Sequence, residues 1–234
     1  MKEFLINFYP IIHKSVIAMS VITGLIVLKN YKSITSRYFI YFLCYVLLFE
    51  LIASYPRYAI RFGLQDYIKD TLFEKNFWVY NICWSIGSTI FFSWYFYNNI
   101  KSLMSKRIIK YVTVLFLFFS CGYMLFSFNN FMATNAKPIL LSHVFIIIIC
   151  ALLYFLEMLN SEKLLNFYKT LSFYVATGIF IWMIIETPLI FFDRYSTKSD
   201  MDYVVLKWTI RLLINVFMYS LFTFALIYCR PKHD

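Results

Sequence analysis

Seven apolar runs, each long enough to cross a membrane as a helix, determine what this chain can fold into. A membrane-spanning helix needs about 20 predominantly apolar residues. Backbone polar groups in lipid must be satisfied internally, which favours helices for such runs. We therefore predict an all-α, polytopic transmembrane helical bundle that forms one domain over residues 1–234. Its seven spans lie near residues 10–28, 38–58, 77–97, 109–128, 138–157, 171–192 and 206–229.

Composition excludes a soluble domain, because 62% of the residues are hydrophobic and only 15% are charged. That leaves too little polar surface to cover a core in water. Glycine is scarce at 5 residues, so bulky side chains must pack the helices against one another. The amino-terminal segment lacks a basic region and a small-residue cleavage site, which predicts a retained span.

The charges of the connecting loops predict the orientation. One set of alternate loops, with the carboxyl-terminal tail, holds eleven Lys and Arg against three acidic residues, a net charge of +8. The other set, with the amino-terminal segment, holds eight against seven, a net charge of +1. Basic loops stay in the cytoplasm, so we predict an outside amino terminus and a cytoplasmic carboxyl terminus. The same rule accounts for the overall charge of +10 without a nucleic-acid partner.

Two carboxylates lie inside the apolar runs: Glu50 in FIYFLCYVLLFELIASYP and Glu186 in GIFIWMIIETPLIFF. At about 1.5 Å per residue, they lie about 18 and 22 Å from the cytoplasmic starts of their helices, in the outer half of a core about 30 Å thick. An ionisable group at such depth normally faces the bundle interior and has a partner. Two interpretations stay open: a ligand, ion or proton site, or a structural ion pair or protonated glutamate.

Further polar and aromatic side chains share the outward position of the two glutamates. On the last span, one helix face carries Lys207, Arg211 and Asn215, because these residues are spaced four apart. Snorkelling to the headgroups is the alternative for the cations. We predict a polar pocket open to the outside, lined by Glu50, Glu186, Arg211, Lys207, Trp182, Asn81 and Asn215.

Known catalytic and metal motifs are missing from the sequence. It contains no G-x-S-x-G, H-E-x-x-H, P-loop or G-x-G-x-x-G pattern. Its five cysteines lie singly, without C-x-x-C, and His143 stands alone on the fifth span. We therefore expect no catalytic residue, cofactor or metal site, and the sequence favours a non-enzymatic protein.

Four segments carry a resemblance: YFIYFLCYVLLFELIASYPRY, NFWVYNICWSI, LLYFLEMLNSEK and NVFMYSLFTFALIYC. With them the chain resembles a family of small, multi-span membrane proteins from bacteria with proteomes rich in Lys, Asn, Tyr and Phe. No activity is attached to that family. The resemblance implies about seven spans and carries over no site residue.

The leading hypothesis is a non-enzymatic protein of the bacterial inner membrane. It is either a sensor-like or receptor-like protein or the membrane subunit of a larger assembly. We expect membrane lipid and a protein at the basic cytoplasmic face as partners, and a homo-oligomer stays open. One alternative is a channel or carrier that uses the carboxylates as a proton or cation relay. The other is a membrane enzyme acting on lipid, which requires Glu50, Glu186 and a histidine to converge.

Overall fold

The computed structural model describes residues 2–160, 167–192 and 201–229. Within these residues the chain is helical and contains no β-strand. A π-helical segment, Tyr80–Ile86, joins α5 to α6. The α-helices are α1 (Lys2–Val27), α2 (Ile34–Ile52), α3 (Tyr55–Arg61), α4 (Gln65–Ile68), α5 (Phe77–Val79), α6 (Gly87–Asn99), α7 (Leu103–Phe126), α8 (Phe128–Ala133), α9 (Lys137–Leu159), α10 (Leu171–Phe192) and α11 (Met201–Tyr228).

The prediction of an all-α chain with several membrane-length helices is confirmed. Among the described residues, six helices are long and apolar enough to cross a membrane. They are Phe8–Asn30, Ile34–Arg61, Leu103–Phe126, Lys137–Leu159, Leu171–Phe192 and Asp202–Tyr228. The remaining predicted run, 77–97, is also helical but is divided into α5, the π segment and α6. Part of the predicted charge asymmetry lies outside the described residues, at 161–166, 193–200 and 230–234.

Helix ends differ from the apolar runs where local chemistry intervenes. Helix α1 begins at Lys2, eight residues before the predicted start at residue 10. The second predicted run, 38–58, is broken, since α2 ends at Ile52 and α3 begins at Tyr55 with Pro56 in its first turn. Proline lacks the N–H that would continue the first helix.

The chain forms two compact units, Met1–Leu47 with Ala151–Asp234, and Leu48–Cys150. In the first unit α1 lies along α11. The Tyr9 and Trp208 rings are 6.3 Å apart, and the Ser20 hydroxyl donates to the Tyr219 carbonyl at 2.7 Å. Beyond α1, the Tyr31 hydroxyl donates to the Leu226 carbonyl at 3.1 Å. These contacts advance in the same direction along both helices, so α1 and α11 run parallel.

Burial raises the pKa of the Tyr31 phenol, with a smaller contribution from Cys229. The phenol, neutral at its ordinary pKa, therefore stays a hydrogen-bond donor to a still higher pH.

Helix α10 runs antiparallel to α11 in the first unit, and the two approach closely at Gly178. A Cβ built on Gly178 would lie 2.8 Å from the Phe222 ring and 3.4 Å from Leu221. Phe222 is itself fully buried, with the Phe39 ring of α2 edge-on at 5.1 Å. The glycine therefore admits a large aromatic side chain between the helices, and this contact fixes their register.

In the second unit, the π segment and α6 form a continuous helical run with one strongly buried face. Phe92, Tyr95 and Phe96 of α6 are almost wholly buried. Alongside them lie the buried polar side chains Asn81, Ser85, Ser88, Thr89 and Ser93. Polar groups hidden in this way need partners within the unit.

Substituting Gly178→Ala should destabilise the α10–α11 contact. Overpacking a tight contact costs about 1–3 kcal/mol, against a helix-propensity gain of up to about 1 kcal/mol for alanine. We expect a lower midpoint of thermal unfolding in detergent micelles. The matched control is Gly122→Ala, because a Cβ there meets nothing within 4 Å. An equal effect of both substitutions would contradict the assigned register.

Candidate functional site

In the first unit, Glu186 and Arg211 form an ion pair between α10 and α11. The guanidinium of Arg211 donates through Nε to Glu186 Oε2 at 3.1 Å and through Nη2 to Glu186 Oε1. Two parallel bonds of this kind fix both planar groups in one orientation. The Glu186 side chain is 5% exposed and that of Arg211 is 27% exposed. One partner is therefore hidden, while the other remains partly accessible.

A second polar pair lies one turn away from the ion pair, toward the amino-terminal end of α10 and the carboxyl-terminal end of α11. The Trp182 indole donates from Nε1 to Asn215 Oδ1 at 2.7 Å, and both side chains are buried. Trp182 precedes Glu186 by four residues and Asn215 follows Arg211 by four, so antiparallel helices bring the pairs into register. We call Glu186, Arg211, Trp182 and Asn215 the polar ladder. Lys207, one turn before Arg211 on α11, is half-buried.

Local chemistry of α10 explains why the polar ladder lies in a weakened part of that helix. Pro188 lies inside α10 and cannot donate to the carbonyl of Ile184. The Thr187 hydroxyl donates to the Met183 carbonyl at 2.7 Å, which is not the carbonyl that Pro188 leaves without an amide donor. The ion pair thus holds a stretch of α10 that has one backbone hydrogen bond fewer than an uninterrupted helix.

In the second unit, Glu50 is buried at the end of α2. Its Oε2 accepts a hydrogen bond from the Tyr80 hydroxyl at 3.1 Å, and the Ser54 hydroxyl donates to its backbone carbonyl at 2.9 Å. Tyr80 is the first residue of the π segment and was not among the predicted site residues. The phenol gives this carboxylate a strong neutral donor.

Asn81, the next residue along, ties the π segment to the corner between α8 and α9. Its Nδ2 donates to the carbonyls of Phe131 at 2.7 Å and Thr134 at 3.0 Å. Its Oδ1 accepts from the amide of Ala136 at 3.2 Å. Both amide hydrogens and the oxygen are thus engaged within the unit, which gives Asn81 a structural role.

His143 of α9 is fully buried beside the junction of the π segment and α6. Its Nδ1 lies 2.9 Å from the Thr89 hydroxyl and 3.5 Å from that of Ser88. Those hydroxyls donate to the carbonyls of Ser85 at 2.6 Å and Trp84 at 2.5 Å. Each hydroxyl has one hydrogen, and with both hydrogens donated to these carbonyls we assign the ring proton to Nδ1. Nε2 is then a buried lone pair, with no hydrogen-bond partner in the described part of the chain.

The seven predicted pocket residues thus divide between the two units. Glu186, Arg211, Lys207, Trp182 and Asn215 belong to the first, where four of them form the polar ladder, and Glu50 and Asn81 belong to the second. A pocket that includes all seven stays a prediction. Within the described ranges, no group of three or more His, Cys, Asp or Glu side chains is placed to hold a metal ion.

Comparison with protein-family models, with curated proteins and with solved structures finds no match to this chain. A candidate function therefore has to follow from its own residues.

A double-mutant cycle tests whether Glu186 and Arg211 depend on each other. Arg211→Gln leaves the buried Glu186 without its cation and should lower the free energy of unfolding by about 3–5 kcal/mol. Glu186→Gln should cost less, because the Arg211 side chain that it leaves is partly exposed. The double variant should cost less than the sum, because both charges are gone. Arg107→Gln, at an exposed arginine of α7, is the control, with an effect within about 0.5 kcal/mol. Additive costs would show that the side chains are not coupled.

Thr89→Val should leave the buried His143 Nδ1–H with only the longer contact to Ser88 at 3.5 Å, at a cost of about 1–3 kcal/mol in unfolding free energy. Ser88→Ala loses an equivalent bond to a backbone carbonyl but a longer contact to the ring, so a smaller cost is expected. Nitrogen NMR of ¹⁵N-histidine-labelled protein should show His143 protonated at Nδ1. A proton at Nε2 instead would contradict the hydrogen-bond directions assigned above.

Proposed function

We propose that this protein is a non-enzymatic, sensor-like protein of the bacterial inner membrane or the membrane subunit of a larger assembly. Its signal would be received at the polar ladder, which the predicted orientation places in the outer half of the membrane. The single observation that carries the proposal is the buried Glu186–Arg211 ion pair, whose arginine remains partly accessible.

Energetics favour a functional role for this pair. A charged residue at the centre of a membrane helix costs about 2.5–3.5 kcal/mol on insertion scales. Well-packed apolar residues in place of a buried ion pair are often neutral or stabilising. A chain that only needed to join α10 to α11 has a cheaper solution, which it already uses at Gly178 and Phe222. The ion pair therefore provides something that packing does not.

Unlike an apolar contact, Arg211 can exchange Glu186 for another anion. An anion that reaches the partly exposed guanidinium competes with Glu186, and the polar ladder then loses its outer rung. The close contact at Gly178 holds the deeper halves of α10 and α11 together. The outer part of α10, weakened at Pro188, is left to move. Such a ligand shifts the equilibrium only by its differential affinity for the two arrangements.

Parallel packing of α1 and α11 supports seven spans. Helices that cross a membrane in the same direction are separated by an odd number of crossings. Four membrane-length helices lie between them in sequence. The helical run of α5, the π segment and α6 provides the fifth crossing. Seven crossings leave the termini on opposite sides, and the basic loops favour a cytoplasmic carboxyl terminus.

Output through a partner fits this architecture. The sequence is almost entirely membrane-embedded, so the basic cytoplasmic loops are the surface through which a change in α10 and α11 reaches another protein. The bacterial origin and the family of small multi-span membrane proteins rest on the sequence resemblance. Both are parts of the proposal.

A ¹⁹F NMR titration tests the site directly. Protein labelled with 5-fluorotryptophan in phosphatidylcholine nanodiscs is titrated with acetate, inorganic phosphate or phosphatidylglycerol, and the Trp182 signal is assigned by its loss in Trp182→Phe. We expect at least one anion to shift that signal, because opening the outer rung disturbs the Trp182–Asn215 bond. Arg211→Gln should abolish the shift, whereas Arg107→Gln should preserve it.

Two outcomes would overturn the proposal. A Trp182 signal that responds to none of the three anions would show that the ladder is a static brace. Proton or cation flux into proteoliposomes that disappears in Glu50→Gln would establish a channel or carrier instead.

A further inference from the structure

Residues 55–75 form an ordered loop in the second unit whose two ends are tied together. The Tyr55 hydroxyl lies 2.6 Å from the carbonyl of Phe73 and 2.8 Å from that of Lys75, and it accepts from the Trp78 indole at 3.1 Å. Next to it, the Asn76 amide donates to the Ala53 carbonyl at 2.6 Å. The loop, which we call the aromatic loop, is therefore anchored where α2 ends and α5 begins.

Within the aromatic loop, the backbone follows defined turns. Helix α3 ends at Arg61, and Gly63, two residues later, has a φ of +68° that suits glycine. The amide of Leu64 then donates to the carbonyl of Ala59 at 2.8 Å, a common arrangement at helix ends. Farther along, the amide of Asp70 donates to the Glu74 carboxylate at 3.2 Å. The loop thus presents its side chains from a specified scaffold.

What the scaffold presents is apolar. Ile60 is 65% exposed, Phe62 is 72% exposed and Tyr67 is 81% exposed. Further large apolar side chains are exposed at Leu64, Leu72 and Phe73. So many apolar groups together on one short loop mark a contact surface.

Charge and position select the partner. Helix α3 carries Arg57 and Arg61 one turn apart, both exposed, and no acidic residue. The exposed apolar surface continues directly onto the last turns of α2 at Leu48, Leu51 and Ile52, which belong to a membrane-length helix. The loop follows a membrane-length helix and precedes the predicted span 77–97, so its natural contact is the adjoining lipid.

We propose that the aromatic loop binds anionic phospholipid at the membrane face where α2 ends. Phe62 and Tyr67 enter the boundary between headgroups and acyl chains, as amphipathic aromatic side chains do at membrane interfaces. Arg57 and Arg61 bind headgroup phosphates. This contact is independent of ligand exchange at the polar ladder, since it belongs to the other unit.

Fluorescence quenching by depth tests the proposal. A bimane label is placed at Phe62→Cys, Tyr67→Cys or, as the matched control, Asp66→Cys, in protein whose five native cysteines are replaced by alanine. An unchanged thermal unfolding midpoint of that background verifies its fold. In nanodiscs, doxyl-labelled lipid should quench the labels at 62 and 67 more than the label at 66, and aqueous iodide should show the opposite order.

Lipid composition tests the arginines. Phosphatidylglycerol added to phosphatidylcholine nanodiscs should raise lipid quenching at positions 62 and 67. Each arginine contributes about a five-fold preference for an anionic surface, so Arg57→Gln with Arg61→Gln should remove most of the increase. Equal iodide quenching at all three positions would overturn the proposal. So would protection from both quenchers that grows with protein-to-lipid ratio, because it would identify a second copy of the chain as the partner.

Discussion

A charge placed inside a bilayer has to be neutralised by a partner, and the first unit is organised around one such pair. Glu186 and Arg211 lie on different helices, so their two hydrogen bonds fix how α10 stands against α11. The Trp182–Asn215 bond repeats that register one turn deeper, and Gly178 lets Phe222 complete it where only apolar groups meet. The interface between α10 and α11 thus has two polar pairs in succession, followed by one closely packed apolar contact.

The second unit solves the same problem with neutral groups. Glu50 receives a phenol, and His143 receives two hydroxyls whose own hydrogens are already committed to backbone carbonyls. The π segment is central to this, because it carries Tyr80 and Asn81 and ends next to Ser88 and Thr89. A π-helical segment inside an α-helix is uncommon and often accompanies a functional site. Here it concentrates the buried polar groups of one helix at one level.

Sequence predicts the features that depend on composition and simple periodicity. The bounds of α10 coincide with the predicted run at 171–192, and Arg211 was a predicted cation for Glu186. The sequence alone does not predict that Glu186 pairs with Arg211 and not with Lys207. Both cations lie on one face of α11, and the pairing depends on the register of α10 against α11. Tyr80 and Thr89 were missed for another reason. Both contact groups elsewhere in the chain, Tyr80 the Glu50 carboxylate and Thr89 the His143 ring, and the spacing of residues within one helix does not predict such contacts.

The parallel pairing of α1 with α11 also has a consequence for biosynthesis. Residues 48–150 are contiguous and can assemble as soon as they are inserted, whereas the other unit joins residues 1–47 to residues 151–234. Helix α1 meets α2 at Gly24 and Ile40, but its contacts with α11 must wait until α11 is inserted. During that interval the Ser20 hydroxyl has a local acceptor in the Val16 carbonyl, 3.2 Å away on its own helix, before Tyr219 and Thr223 arrive. Of the helices described, α1 is the earliest in the sequence, yet its interface with α11 is among the last to form.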